Sequence, residues 1–235
     1  MMPPLPGARL ALISWRWLRH KSRGVQRRLR PSTLEQAEAW NARYQDIYRS
    51  IGERALESGR PGEPMPDLVI CDIEGNERRV SEFWETQPAL LITMSLSCGR
   101  TRQHARALQR LARRFRGKIN TAIVYVIEAH PIDVASPYAG EVWVTSTNEI
   151  AGIHCRQPRT IEERIALANE LRRRFHLSAP MLIDGLDDRA WRAFGCAPNV
   201  AILVGRDGRI AAKQGWFEPR EMAEMITAHL DARSR

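Results

Sequence analysis

The sequence predicts an α/β fold: a mixed central sheet with helices on both faces, preceded by a helical extension at the N-terminus. Two observations carry this. Short apolar runs rich in β-branched residues alternate with longer stretches whose apolar residues recur at helical spacing. Two of those runs, Ala89–Met94 and residues 118–127, are apolar on both faces, as strands inside a covered sheet are. A helix between them makes a right-handed βαβ unit. At 235 residues with 43% hydrophobic content, the chain has enough for one cored domain with extensions.

The net charge of +9 is concentrated at one end. Residues 1–30 hold eight basic groups and no acid, which leaves the remainder near balance. The globular part thus gives no reason to expect a nucleic-acid partner. The apolar core of this tail, residues 10–15, is far shorter than the roughly 20 residues a spanning helix needs. It also lacks a small-residue cleavage site, so no secretory signal peptide is expected. Three readings of the tail stay open. Trp15, Trp17 and Leu18 among arginines suit an anionic membrane surface through residues 9–30. A solvated basic tail and an organellar transit peptide fit the same composition.

Pro31-Ser-Thr33 followed by Glu35 announces a helix over residues 34–58. Residues 59–66, with three prolines and two glycines, read as a linker. The organisation is therefore a tail at residues 1–31, helix and linker at 32–65, and the main domain at 66–235. Within that domain residues 67–72 read as a strand, 74–77 as a turn and 79–84 as a short helix. The strand Ala89–Met94 and a helix over 100–116 follow, then the strand over 118–127. Residues 128–159 read as irregular, with a short strand at 141–145; a loop of that length is usually functional or mobile. Thr160-Ile-Glu-Glu163 has the spacing of a capping box and starts a helix to Phe175. A short strand at 180–183, a short helix at 187–194, a hairpin turning at Asp207-Gly208 and a closing helix from Pro219 complete the chain. This order is the thioredoxin-like pattern, a three-layer α/β/α sandwich with one additional strand. In that fold the proline before the first hairpin strand is commonly cis and faces the active cysteine. Pro198 occupies that place.

Four cysteines, Cys71, Cys98, Cys155 and Cys196, are widely spaced and form no CxxC pair. That spacing fits neither a zinc framework nor a small disulfide scaffold, and it fits a reducing, cytoplasmic setting. Cys71 reads as a small buried hydrophobe. Cys98 is different, because the apolar strand stops at Ser95 and Ser97 and helical spacing begins just after it. Free N–H groups at a helix start, together with Arg100 and Arg102, favour the thiolate, which is the nucleophilic form. Ser95 is placed to hydrogen-bond the sulfur or a substrate, whereas Ser97 reads as an ordinary strand-end residue. His130 follows the neighbouring parallel strand, so it shares a sheet edge with Cys98, where ligands bind. Glu128 points to the same side by alternation.

Ser95-Leu-Ser-Cys98, Glu128-Ala-His-Pro131 after a buried strand, Ile153-His154 before Thr160-Ile-Glu-Glu-Arg164, and Pro180-Met-Leu-Ile-Asp184 stand in one order. This series resembles the iodothyronine deiodinase family. The resemblance implies a thiol oxidoreductase in which Cys98 takes the place of the family's selenocysteine. It implies Glu128, His130 and His154 as binding and proton-transfer residues. The sequence departs from the family at Gly99 and Arg100, where two prolines are usual. It departs again at about Val200, where the family has an arginine credited with holding the hormone, which argues against thyroid hormone as substrate.

The chemistry expected is attack by Cys98 on an electrophile, with His130 supplying a proton and Glu128, His154, Ser95 and Pro198 around the substrate. Regeneration requires a second thiol. Cys196 and Cys155 are the candidates within the chain, and an external reductant such as glutathione or thioredoxin serves equally. The partners expected are a small-molecule substrate, that reductant and a second copy in a homodimer; no bound cofactor or metal is expected. Two other readings compete. A peroxiredoxin-like peroxidase would want proline where Leu91 stands, although Ser95 can replace its threonine. A catalytically silent thioredoxin-like binding protein would leave Cys98 with an ordinary thiol pKa.

Overall fold

A computed structural model of the chain describes residues 34–232. The basic tail lies outside them. The chain divides between Asp46 and Ile47 into two compact units, and the second carries the sheet. Helix α1 (Leu34–Glu57) continues into it. Strands β1 (Val69–Asp72), β2 (Glu77–Arg79), β3 (Ala89–Met94), β4 (Asn120–Tyr125), β5 (Met181–Ile183), β6 (Ala201–Val204) and β7 (Ile210–Gln214) form one sheet in the order β2-β1-β5-β4-β3-β6-β7. The central β5-β4-β3 trio is parallel and the remaining pairs are antiparallel. The sheet is therefore mixed, as expected.

Alternation along β3 divides the core in two. Leu90, Ile92 and Met94 face one side, where they meet helices α2 (Gly99–Arg114), α4 (Ile161–Phe175) and α6 (Pro219–Ala232) through Leu108, Leu171 and Ile226. Ala89 and Leu91 face the other, against Ile51 and Ala55 of α1 and Phe194 of α5 (Arg189–Phe194). All of these side chains are buried, so each helix is held by its apolar face and not by propensity alone.

Three local expectations change. The segment at 59–66 is not a free linker: the Gly62 N–H bonds Ile210 O and the Met65 N–H bonds Gly208 O, both at 2.8 Å. The stretch after Gly75 is a strand, β2, because the hairpin lets it pair with β1; a 3-10 turn (Val80–Phe83) follows it. Residues 141–145 form no strand. Instead Thr145 caps a short helix, α3 (Ser146–Ala151), its hydroxyl accepting the Asn148 N–H. The β-branched residues that suggested a strand there lack a sheet edge to pair with. Among the described residues every peptide bond is trans, including the one preceding Pro198.

Candidate functional site

Cys98 ends the turn after β3 and is the N-cap of α2. Its Sγ accepts the Thr101 N–H at 3.5 Å, the bond a capping oxygen would otherwise make. The turn itself is closed by the Cys98 N–H on Ser95 O at 3.3 Å. On the far side, the Thr101 hydroxyl donates to Pro198 O at 3.1 Å and the Thr93 hydroxyl to Ala197 O at 2.8 Å. The loop before β6 is thus pinned beside the first turn of α2. Pro198 is buried there and reaches the helix through its backbone carbonyl.

The turn is held from below by Glu128. This carboxylate is completely buried. One oxygen accepts the Ser97 N–H at 2.8 Å; the other takes the Leu96 N–H at 3.4 Å and the Tyr125 hydroxyl. Glu128 therefore shapes the Cys98 turn and has no face left for a substrate, which corrects the expectation from alternation. Burial pushes its pKa up, against the pull of these donors. Its own N–H is taken by Gln157 Oε1 at 2.9 Å, which ties the long loop back to the site.

His130 lies where β4 leaves the sheet, 9% exposed. Its N–H donates to the Ser97 hydroxyl at 3.0 Å, so Ser97 joins the histidine loop to the cysteine turn and is more than a strand-end residue. The His130 Nδ1 lies 3.1 Å from Trp143 O, and the two rings meet edge to face with centroids 4.6 Å apart. A carbonyl can only accept, so Nδ1 carries the proton and Nε2 has the free lone pair. Burial lowers the pKa to about 4. At neutral pH this histidine is uncharged and offers an acceptor first; it can donate from Nε2 only after taking a proton.

The electrostatics of Cys98 also differ from the expectation. The thiol is 3% exposed, and burial raises its pKa despite the Thr101 N–H and Arg102. Arg100 is drawn away: it pairs with Glu218 at 2.7 Å and lies over the stacked rings of Tyr48 and Trp216. Arg102 donates to Leu96 O at 2.8 Å and to Asn148 Oδ1 at 2.6 Å, joining the turn to α3. The Ser95 hydroxyl is buried and has no hydrogen-bond partner among the described residues.

The remaining candidates separate. His154 is exposed, whereas Glu128, Ser97 and His130 are buried. Cys155 is buried, and desolvation with Glu128 nearby drives its thiol far up, which suits a core residue and not a resolving thiol. Cys196 is exposed, adopts a left-handed φ of 53° and directs Sγ toward Arg192 O at 4.0 Å. All four cysteines are free, and Cys71 is only half-buried in β1. Sequence reasoning missed Tyr125, Gln157 and Trp143. Tyr125 carried a signal: a hydroxyl-bearing ring at the end of an apolar strand, three residues before a glutamate, needs a partner once buried. Gln157 and Trp143 carried none, being fixed by loop packing.

The sequence model of the iodothyronine deiodinase family matches residues 16–225 of the chain. Among curated proteins none matches. Of solved structures, the chain is similar to a thiol:disulfide interchange protein from Bacteroides sp. (13% identity, 74% of this chain and 92% of that one, TM-score 0.52). It is also similar to the thioredoxin domain of a thiol-disulfide oxidoreductase from Bacteroides vulgatus (14% identity, 72% and 97%, TM-score 0.51). At that identity the likeness shows a thioredoxin-like fold.

Proposed function

The chain belongs to the iodothyronine deiodinase family, and from that premise we propose that it is a thiol-dependent reductase in which Cys98 attacks an electrophilic, iodinated phenolic substrate. The observation that carries the reading is the construction of the Cys98 turn. A buried thiol caps a helix, an internal carboxylate fixes its backbone, and a neutral histidine is tethered one residue away through Ser97. Thiol and histidine begin on neighbouring parallel strands, which brings both to one sheet edge.

The raised thiol pKa means Cys98 starts protonated, so a base is needed. His130 Nε2 suits that role. It takes the thiol proton, the sulfur forms a bond to iodine as the carbon–iodine bond breaks, and the imidazolium returns the proton to the carbon. The products are the deiodinated phenol and a Cys98 sulfenyl iodide, with the thiol's own hydrogen on the ring carbon. One external thiol then displaces iodide to give a mixed disulfide, and a second releases Cys98 as the thiol. The Ser95 hydroxyl, lacking a partner among the described residues, is available to the sulfur or the substrate. Glutathione and small dithiols fit the reductant's chemistry; a protein thiol such as thioredoxin fits equally.

The test is iodide release from iodinated phenols with dithiothreitol, comparing the unaltered chain with Cys98→Ser. The proposal expects release to fall to background in the variant. Equal release by both proteins would refute it. Turnover of hydrogen peroxide but of no iodinated phenol would assign the site to a peroxidase instead.

A further inference from the structure

Helix α2 starts at the Cys98 edge and ends at the opposite edge, where Asn120 of β4 lies beside Ala89 of β3. Helix α4 feeds β5, which runs parallel to β4, so α4 ends at that same pole. Gln109 and Ser178 exchange two hydrogen bonds, at 2.6 and 2.9 Å, and hold the two helix ends side by side. A cavity of about 360 Å³ between them is lined by Arg113 and Arg116 on one wall and Ser178–Pro180 on the other.

This pole is strongly basic. Residues 99–127 contain eight arginines or lysines and no acid. Arg110, Arg113, Arg116 and Lys118 at the end of α2, with Arg172 and Arg173 at the end of α4, are all exposed. Among the described residues none of the six takes part in an ion pair; the nearby Arg174 is answered by Glu170 at 2.5 Å. Acids do reach the rim: Asp72 and Glu74 line a cavity with Arg172, but Asp72 lies 4.0 Å from Arg78 and Glu74 forms no ion pair among the described residues. The carbonyl ends of two helices favour a cation or two each, which six exceed.

We propose that this pole is a docking surface for an anionic lipid membrane, separate from the Cys98 site and independent of that site's chemistry. Phosphate and carboxylate headgroups complement a field of unanswered guanidinium and ammonium groups. The aromatic rings among these cations, Phe115 and Phe175, are packed into or against the core, so they do not offer the stacking platform of a single-stranded nucleic-acid surface. The tail at residues 1–30 adds arginines with tryptophan and leucine, an interfacial composition. Docked this way, the lipid-facing pole leaves the Cys98 edge turned toward water and its soluble reductant.

The experiment is co-sedimentation of the full chain with phosphatidylcholine vesicles containing about 30 mol% phosphatidylserine, against phosphatidylcholine alone. Expected is binding to the anionic vesicles, released by about 0.5 M salt. It should weaken about 100-fold or more in Arg110→Glu/Arg113→Glu/Arg116→Glu/Arg173→Glu, with a smaller loss for the same four as Gln. Cys98-dependent activity should persist in both variants. Unchanged vesicle binding in the quadruple variants would overturn the proposal, since the tail alone would then carry it. Tighter binding to duplex DNA than to vesicles would overturn it as well.

Discussion

The two ends of the sheet handle charge in opposite ways. At the Cys98 edge strong polar groups are answered from inside the fold: Glu128 by two backbone N–H groups and a tyrosine, Arg102 by a carbonyl and an amide, Arg100 by Glu218. At the opposite pole six exposed cations have no ion-pair partner among the described residues. The difference teaches what each end is for. Internal satisfaction makes a turn rigid enough to aim one thiol. Unanswered surface charge contributes almost nothing to rigidity and is left for a partner outside the chain.

The contrast breaks most visibly at Glu128. Glu128→Ala strands the buried Ser97 N–H and the Tyr125 hydroxyl proton, while the Leu96 N–H keeps the Tyr125 oxygen at 3.0 Å, so unfolding in urea should show a loss of about 2–4 kcal/mol. Glu128→Gln keeps one acceptor and should lose about half as much. A loss under 0.5 kcal/mol for the alanine variant would mean that the carboxylate does not hold the turn.

The next effect is pH-dependent. His130 titrates near 4 in the folded chain, below its ordinary 6.5. Its contribution is present above pH 6.5 and is lost as pH falls toward 4, by up to about 3 kcal/mol. Glu128, raised by burial, acts in the opposite sense and gains stability on acidification. The difference between the unaltered chain and His130→Asn isolates the histidine, and its slope between pH 6.5 and 4 is the readout. The same variant should lower iodide release about 100-fold at neutral pH.

How far the site was legible follows from locality. Cys98 stood out because a strand's end and a helix's start are read within a dozen residues. Glu128 and His130 were found for the same reason, at the end of an apolar run. Their roles were not legible. Whether Glu128 faces substrate or backbone depends on where Tyr125 and the Ser95–Cys98 turn sit in space. Whether the thiol is acidified by the helix or silenced by burial depends on packing across 128–160, where the strand expectation at 141–145 also failed. The sheet itself was predictable, since two-sided apolar strands can only be interior.

Smaller changes sharpen the comparison. Trp191→Phe removes the indole N–H donated to the Tyr138 hydroxyl at 3.0 Å and should cost about 1 kcal/mol by thermal unfolding. At the pole, Arg113→Gln or Arg173→Gln should move stability by less than about 0.5 kcal/mol, because no internal partner is lost. A loss as large as that at Glu128 would erase the distinction between the two ends.

The central claim is that the reacting sulfur is Cys98. Turnover of an iodinated phenol with limiting glutathione, quenched in acid and read by peptide mass spectrometry, tests it directly. The account predicts a glutathione adduct on Cys98, with Cys71 and Cys155 still free thiols. Substrate consumed while Cys98 remains an unmodified thiol and another cysteine carries the adduct would contradict it.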